Sequence, residues 1–163
     1  MAQEARRQTH PLPPLFDEHS RVLIVGSFPS VKTREAMFYY GHPQNRFWRV
    51  IAAVTGSSRP LNNEEKRRLI LDNHFAVWDS IASCTIIGSS DSTIRDVVGN
   101  DLRVITQNAP IERIYCNGNT ALRYYRRYNE PQLGRSAALL PSTSPANASW
   151  SLERLIEAWR VIL

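Results

Sequence analysis

The sequence predicts a three-layer α/β/α domain with a mainly parallel, four-stranded central sheet. Two observations carry the expectation. Short apolar runs rich in β-branched residues alternate with amphipathic segments along the chain, the pattern of a parallel sheet covered by helices on both faces. The length, 163 residues with 42% hydrophobic and 21% charged, suits one domain around one core. That domain is expected over residues 21–163, behind an N-terminal arm of residues 1–20.

The elements follow in order. Residues 1–20 carry Pro11, Pro13 and Pro14 and read as a mobile arm or a wrap over the surface. Arg21 to Gly26 is apolar and β-branched, a buried strand. The segment Asn45–Val54 places Phe47, Trp48, Val50, Ile51 and Val54 at helical spacing. Asn62 to Asn73 is a second helix, with Asn62 and Glu65 spaced as a capping pair. Phe75 to Asp79 is the second strand. Residues 83–96 read as a polar loop. A short helix starts at Asn100 or Asp101 and runs to about Gln107. Ile111 to Cys116 is the third strand and Thr120 to Tyr128 a helix. Leu139 to Pro141 is the fourth strand. Ser151 caps a last helix whose apolar stripe is Leu152, Leu155, Ile156, Trp159 and Ile162.

Composition excludes several classes. No apolar run approaches the ~20 residues that span a bilayer, so no membrane association is expected. Arg6 and Arg7 are not followed by an apolar stretch, and no signal peptide is expected. Cys84 and Cys116 stand apart and read as reduced core residues, which points to the cytoplasm. His10, His19, His42 and His74 do not pair at ligand spacing, so neither a metal nor a cofactor is expected. No phosphate-binding glycine loop is present. The net charge is +5, carried by 18 arginines and two lysines. Arginine makes bidentate contacts to phosphate, which suits a nucleic-acid surface; an arginine-favouring codon bias would give the same composition.

Ligand sites in open parallel sheets lie beyond the carboxyl ends of the strands. Four segments leave those ends here: Gly26–Asn45, Asp79–Asp91, Asn117–Asn119 and Ser142–Asn147. The first is long for a connection and rich in aromatics, which marks it as functional.

Val25-Gly26-Ser27-Phe28-Pro29-Ser30, then Tyr39-Tyr40-Gly41-His42-Pro43-Gln44-Asn45-Arg46-Phe47-Trp48, resemble the uracil-DNA glycosylase superfamily, closest to its hypoxanthine-DNA glycosylase (DNA-deoxyinosine glycosylase) branch. Ser142-Thr143-Ser144-Pro145-Ala146 is similar to the superfamily's second motif, ahead of the last helix. The resemblance runs in order from about Arg21 to the C-terminus. It implies a uracil-DNA glycosylase-like fold and a monofunctional DNA glycosylase that excises a deaminated base. Two positions depart from the better-known branches. Phe28 stands where many members carry a catalytic Asp or Asn, and Ser142 where they carry a His. The hypoxanthine branch shares both departures, and there the Asn matching Asn45 is implicated in catalysis.

The resemblance therefore implies Asn45 as the catalytic residue, its amide oxygen orienting the attacking water. Gly26, Ser27, Phe28, Tyr40 and Asp79 would form the base pocket. Phe28 or Tyr40 would stack on the flipped base, and Asp79 would accept the N1–H of hypoxanthine. A turn or cap role for Asp79, and a helix-cap role for Asn45, stay open. Asp91 is a weaker candidate of the same kind. Ser30, Arg46, Ser142, Ser144, Pro145, Ala146 and Asn147 would meet the DNA, with Arg49 near them. Arg123, Arg126 and Arg127 read as a solvated helix face. The expected partner is DNA containing a deaminated base, bound by a monomer in the cytoplasm that associates with the nucleoid during repair. A uracil-directed enzyme of the same superfamily and a non-catalytic nucleic-acid-binding module remain as alternatives.

If the arginine-rich surface meets phosphate, binding to duplex DNA must release counterions. Duplex affinity, followed by fluorescence anisotropy, should fall at least tenfold between low and moderate salt; a flat salt dependence would remove the nucleic-acid reading.

Overall fold

The computed structural model describes residues 4–163. Its central sheet holds four strands in the order β3-β2-β6-β7: β2 (Val22–Gly26), β3 (Phe75–Asp79), β6 (Arg113–Asn117) and β7 (Ala138–Leu140). All neighbours pair in parallel, with Val22 opposite Phe75 on one side and Arg113 on the other. Every residue of β2 is buried, as expected of a strand covered on both faces. The chain leaves β2 toward β3 on one side and leaves β6 toward β7 on the other, and this divergence opens a crevice at the carboxyl ends of β2 and β6.

One face is covered by α2 (Phe47–Thr55), α3 (Asn63–Asp72) and α7 (Leu152–Trp159). There Phe47, Ile51, Ile70 and Trp159 pack in one cluster with Ile24 and Val77 from the sheet. The other face carries α4 (Arg103–Thr106) and α5 (Asn119–Tyr124), with Leu102, Ile105, Ala121 and Tyr125 on Leu23 and Val25. The caps form as the sequence predicts. Asn62 accepts from the Glu65 backbone N–H at 2.9 Å, and Ser151 from that of Arg154 at 3.2 Å.

Three expectations need correction. Half of residues 83–96 is strand: β4 (Ile81–Ile87) and β5 (Arg95–Gly99) pair antiparallel. Their side chains are mixed, because only one face is buried, and the bulges between Ile81 and Thr85 break the alternation that would reveal them. Residues 5–9 are also a strand, β1 (Ala5–Thr9), paired with β4 at Arg7 opposite Thr85. This second sheet has the order β1-β4-β5. Leu12 and Leu15 are then buried in the main core, and Leu15 bridges to Val77. The N-terminal segment is thus an integral edge of the fold. Third, the segment after β2 contains a helix, α1 (Val31–Ala36), started by Ser30.

The helix expected at Thr120 to Tyr128 is α5, continued by a π-turn over Tyr125–Asn129 and a short α6 (Glu130–Leu133). The wider turn brings Asn129, wholly buried, against the start of the second sheet. Its Nδ2 donates to the carbonyls of Ser80 (3.2 Å) and Asn100 (3.0 Å), and its Oδ1 accepts from Ser80 Oγ. Asn100 in turn donates to the carbonyls of Asp79 and Ile81. The two asparagines satisfy the backbone where the chain leaves the central sheet for the second one. Asn129→Ala leaves the Asn100 carbonyl and the Ser80 hydroxyl without partners, while the Ser80 carbonyl keeps the Asn100 backbone N–H, so it should cost roughly 2–4 kcal/mol. Urea unfolding measures this; a loss under ~1 kcal/mol would show that water replaces the amide.

Candidate active site

A cleft of about 820 Å³ opens at the carboxyl ends of the central strands, where the switch in strand connections predicts it. Gly26, Ser27 and Phe28 line it after β2, Tyr40 and Asn45 in the segment beyond α1, and Asp79 at the end of β3. Asn117 and Gly118 line it after β6, and Ser142 to Asn147 after β7. The four segments singled out by the sequence do converge. Two glycines make the approach possible. A side chain at Gly26 would collide with Asp79 Oδ1. Gly118 adopts φ +98, and its Cβ would sit 3.0 Å from that of Ser142.

Asn45 stands just before α2. Its Oδ1 accepts from the Phe47 backbone N–H at 2.9 Å and from Thr143 Oγ1 at 2.9 Å. Thr143 is completely buried, and its hydroxyl accepts from Asn117 Nδ2 at 3.0 Å. Asn117 Oδ1 accepts the Thr143 backbone N–H at 3.0 Å. The direction of every bond in this chain follows from the backbone donors at its ends. Both lone pairs of the Asn45 oxygen are therefore in use. The expectation that this oxygen orients a water does not hold; the group that Asn45 has to offer the cleft is its NH2, a donor. The helix-cap alternative holds in part, since the bond to Phe47 fixes the start of α2.

Asp79 is buried and does not cap a helix. Its Oδ2 lies 2.7 Å from His10 Nε2. Its Oδ1 makes no hydrogen bond among the described residues and lies against Gly26 at the cleft floor. Tyr40 holds an unusual left-handed backbone (φ 52). Its ring stacks on Phe47 at 3.9 Å, and its hydroxyl is buried near Gly26 with no hydrogen-bond partner among the described residues. Burial, reinforced by the Asp79 carboxylate, raises its ionisation well above that of an ordinary tyrosine, so it stays a neutral phenol. Phe28 also lines the cleft, but most of it packs with Ile81, Cys84 and Tyr124. Both aromatics expected to stack on a ligand are thus already packed on one side.

The residues expected at DNA divide. Arg46 is spent internally: its guanidinium donates to the carbonyls of Trp150, Ser144 (3.1 Å) and Asn147 (3.0 Å). It braces the last loop rather than reaching outward, a correction to the phosphate role. Ser30 donates to Thr33 Oγ1 and accepts from the Thr33 N–H, which commits it to starting α1. Ser142 and Ser144 differ. Each hydroxyl accepts one backbone N–H, from Ser144 and Ala146 respectively, and keeps its own proton to donate. Asn147 donates to the Ser142 carbonyl and closes the loop on itself, with Pro145 and Ala146 exposed at its crest. Asp91 sits exposed at the cleft rim. Arg123, Arg126 and Arg127 line a shallower hollow of about 360 Å³ that shares Asn119 with the main cleft.

Sequence reasoning missed His10, Thr143 and Asn117. Nothing in the composition around His10 announces a site residue. Thr143 lay inside the second motif, where its apolar methyl and neutral hydroxyl gave no reason to prefer it over Ser142.

The sequence model of the Uracil DNA glycosylase superfamily matches residues 13–162. A hypoxanthine DNA glycosylase of Methanosarcina acetivorans is 34% identical over 92% of this chain and 94% of its own. One from Methanosarcina barkeri is 30% identical over 83% and 85%. The solution NMR structure of a Methanosarcina acetivorans protein taken to be a uracil DNA glycosylase superposes with a TM-score of 0.77 at 28% identity, covering 99% of both chains.

The bracing role of Arg46 separates from a phosphate role in one measurement. A lost phosphate contact lowers the slope of log affinity against log salt by about one. Arg46→Ala should leave that slope unchanged and instead speed amide hydrogen exchange across residues 144–150; a reduced slope with unchanged exchange would restore the phosphate contact.

Proposed function

Because the chain belongs to the uracil DNA glycosylase superfamily, we propose that it is a monofunctional DNA glycosylase that flips a deaminated base, hypoxanthine before others, and hydrolyses its N-glycosidic bond to leave an abasic site. The carrying observation is the buried Asp79 carboxylate with one oxygen free at the floor of the strand-end cleft, in a chain whose curated relatives are named hypoxanthine DNA glycosylases. Hypoxanthine presents a lactam edge, an N1–H beside a keto oxygen. A fixed acceptor meets the N–H; adenine offers a lone pair at that position and is repelled. Uracil carries the same kind of edge, so it is the natural competitor.

The target base has to leave the stack before its glycosidic bond is accessible. The Ser142 and Ser144 hydroxyls, each with a proton to donate, suit the phosphates beside the lesion, and Pro145 and Ala146 suit the gap in the helix. Arg123 of α5, with Arg126 and Arg127 of the π-turn that follows, extends the positive surface along the backbone. As the C1′–N9 bond breaks, its electron pair leaves with the purine and the sugar becomes an oxocarbenium ion. Water adds at C1′ and loses a proton to solvent, while the departing purine gains one. Phe28 and Ser142 supply neither a base nor an imidazole. Asn45 supplies a donor, and its Nδ2–H is suited to an acceptor nitrogen of the leaving purine, where negative charge builds. The protein works as a monomer, in the cytoplasm and on the nucleoid.

The test is single-turnover cleavage of duplexes holding inosine, uracil, xanthine or no lesion, with alkali to break abasic sites. Inosine should be cut fastest; no cleavage of any lesion would leave a binding module. Asn45→Ala should slow inosine cleavage ~100-fold, as for other lost oriented donors. Asn45→Asp keeps the acceptor for Phe47 and Thr143 but replaces the donor by an acceptor. It should be as slow as the alanine variant while melting like the parent. An aspartate variant that retains most activity would return Asn45 to the water-orienting role.

A further inference from the structure

The reading of Asp79 as the group that meets the base leaves one question: what keeps a buried carboxylate in one orientation with a single oxygen facing the cleft? Among the described residues, its side chain has one hydrogen-bond partner, His10 Nε2 at 2.7 Å, and the two side chains are only 4% and 6% exposed. The backbone N–H of Leu12 donates to His10 Nδ1 at 3.1 Å. The ring proton is thereby on Nε2, from where it is donated to Asp79 Oδ2. The His10 backbone N–H donates to the Ala82 carbonyl at 2.7 Å, and its ring packs edge-on against Phe28 and Trp78. The imidazole is held at both nitrogens and by its neighbours, so it is a rigid support. It also precedes residues 13–162, the part that matches the superfamily.

We propose that His10 is a specificity-determining positioning residue: its Nε2–H pins Asp79 Oδ2, so that Oδ1 stands in the cleft as a fixed acceptor for a base carrying a ring N–H. The proposal rests on the reading of Asp79 given above. Without His10, the Asp79 carboxylate has no partner among the described residues and is free to turn, so that no oxygen is held in the cleft as a fixed acceptor. The selection of N–H over lone pair is then lost, even where the rest of the cleft is intact.

The experiment compares single-turnover cleavage of two duplexes, one with inosine and one with unsubstituted deoxyribosylpurine, which has a lone pair at N1 and no keto group. Melting temperature is followed in parallel. Parent protein should favour inosine. His10→Phe keeps a ring in the packed site and removes the donor; the inosine-to-purine ratio should fall at least tenfold. His10→Gln keeps an N–H at similar reach and should restore most of the ratio. A merely structural His10 would slow both substrates together and leave the ratio unchanged. An unchanged ratio in His10→Phe overturns the proposal. If that variant does not fold, His10→Asn, whose amide is too short to reach Asp79, is read by the same two outcomes. Parent protein that leaves inosine intact overturns the glycosylase reading and this proposal together. Parent activity with an unchanged variant ratio overturns this proposal alone.

Discussion

The hydroxyl of Thr143 touches two segments that have no other reason to meet. It accepts from Asn117 at the end of β6 and donates to Asn45 at the start of α2. A buried hydroxyl with both functions satisfied fixes the rotamers of its partners as well as its own. The amide of Asn45 has only one orientation that satisfies the Phe47 N–H and the Thr143 proton at once. The chemistry that Asn45 can offer is thereby decided by a residue at the far end of the chain. Arg46, the next residue, grips the same last loop by three of its carbonyls. Adjacent positions thus serve the cleft and the loop beside it.

On the other wall, the second sheet does what the central sheet cannot. A parallel sheet ends in a crevice open to water. The sheet of β1, β4 and β5 closes one side of that crevice, with Phe28 packed between it and Tyr124. Asn100 and Asn129 bind the junction of the two sheets. The Asp79 backbone lies at this junction, so the carboxylate rises from a peptide held by strand pairing on one side and by the Asn100 amide on the other. From β1, at the edge of this sheet, Arg7 reaches across β4 and donates to Ser83 Oγ and to the Asp96 carbonyl of β5, tying the three strands together.

Much of this was legible in the sequence because it was local. The buried strands at Val22 and Phe75 announce themselves by uninterrupted β-branched and aromatic runs, and the caps at Asn62 and Ser151 by residue type and spacing. The location of the cleft followed from the order of the elements. What escaped was long-range or half-exposed. The second sheet has mixed faces and bulges, so its alternation is weak. The pairing of β1 with β4 joins segments whose residues are 76 apart at Gln8 and Cys84. Asn45 was identified as a position, yet its available atom was not, because that depends on which partner consumes its oxygen. Arg46 looked outward by its charge; its actual partners are carbonyls, which carry no signal in sequence.

The pairings that build the cleft are separated by 69 residues between His10 and Asp79 and by 98 between Asn45 and Thr143. Each closes a long loop, whose entropy is lost before the contact rewards it. During synthesis, the segment bearing Asn45 emerges long before the loop that orients its amide. A nascent or broken chain lacking the final helix and the loop before it has strands and a hydrophobic core in part, but no oriented amide and no braced loop. The orientation of the Asn45 amide and the bracing of the loop by Arg46 thus arrive together, with the segment after β7, and a chain cut before it keeps both side chains but not their geometry.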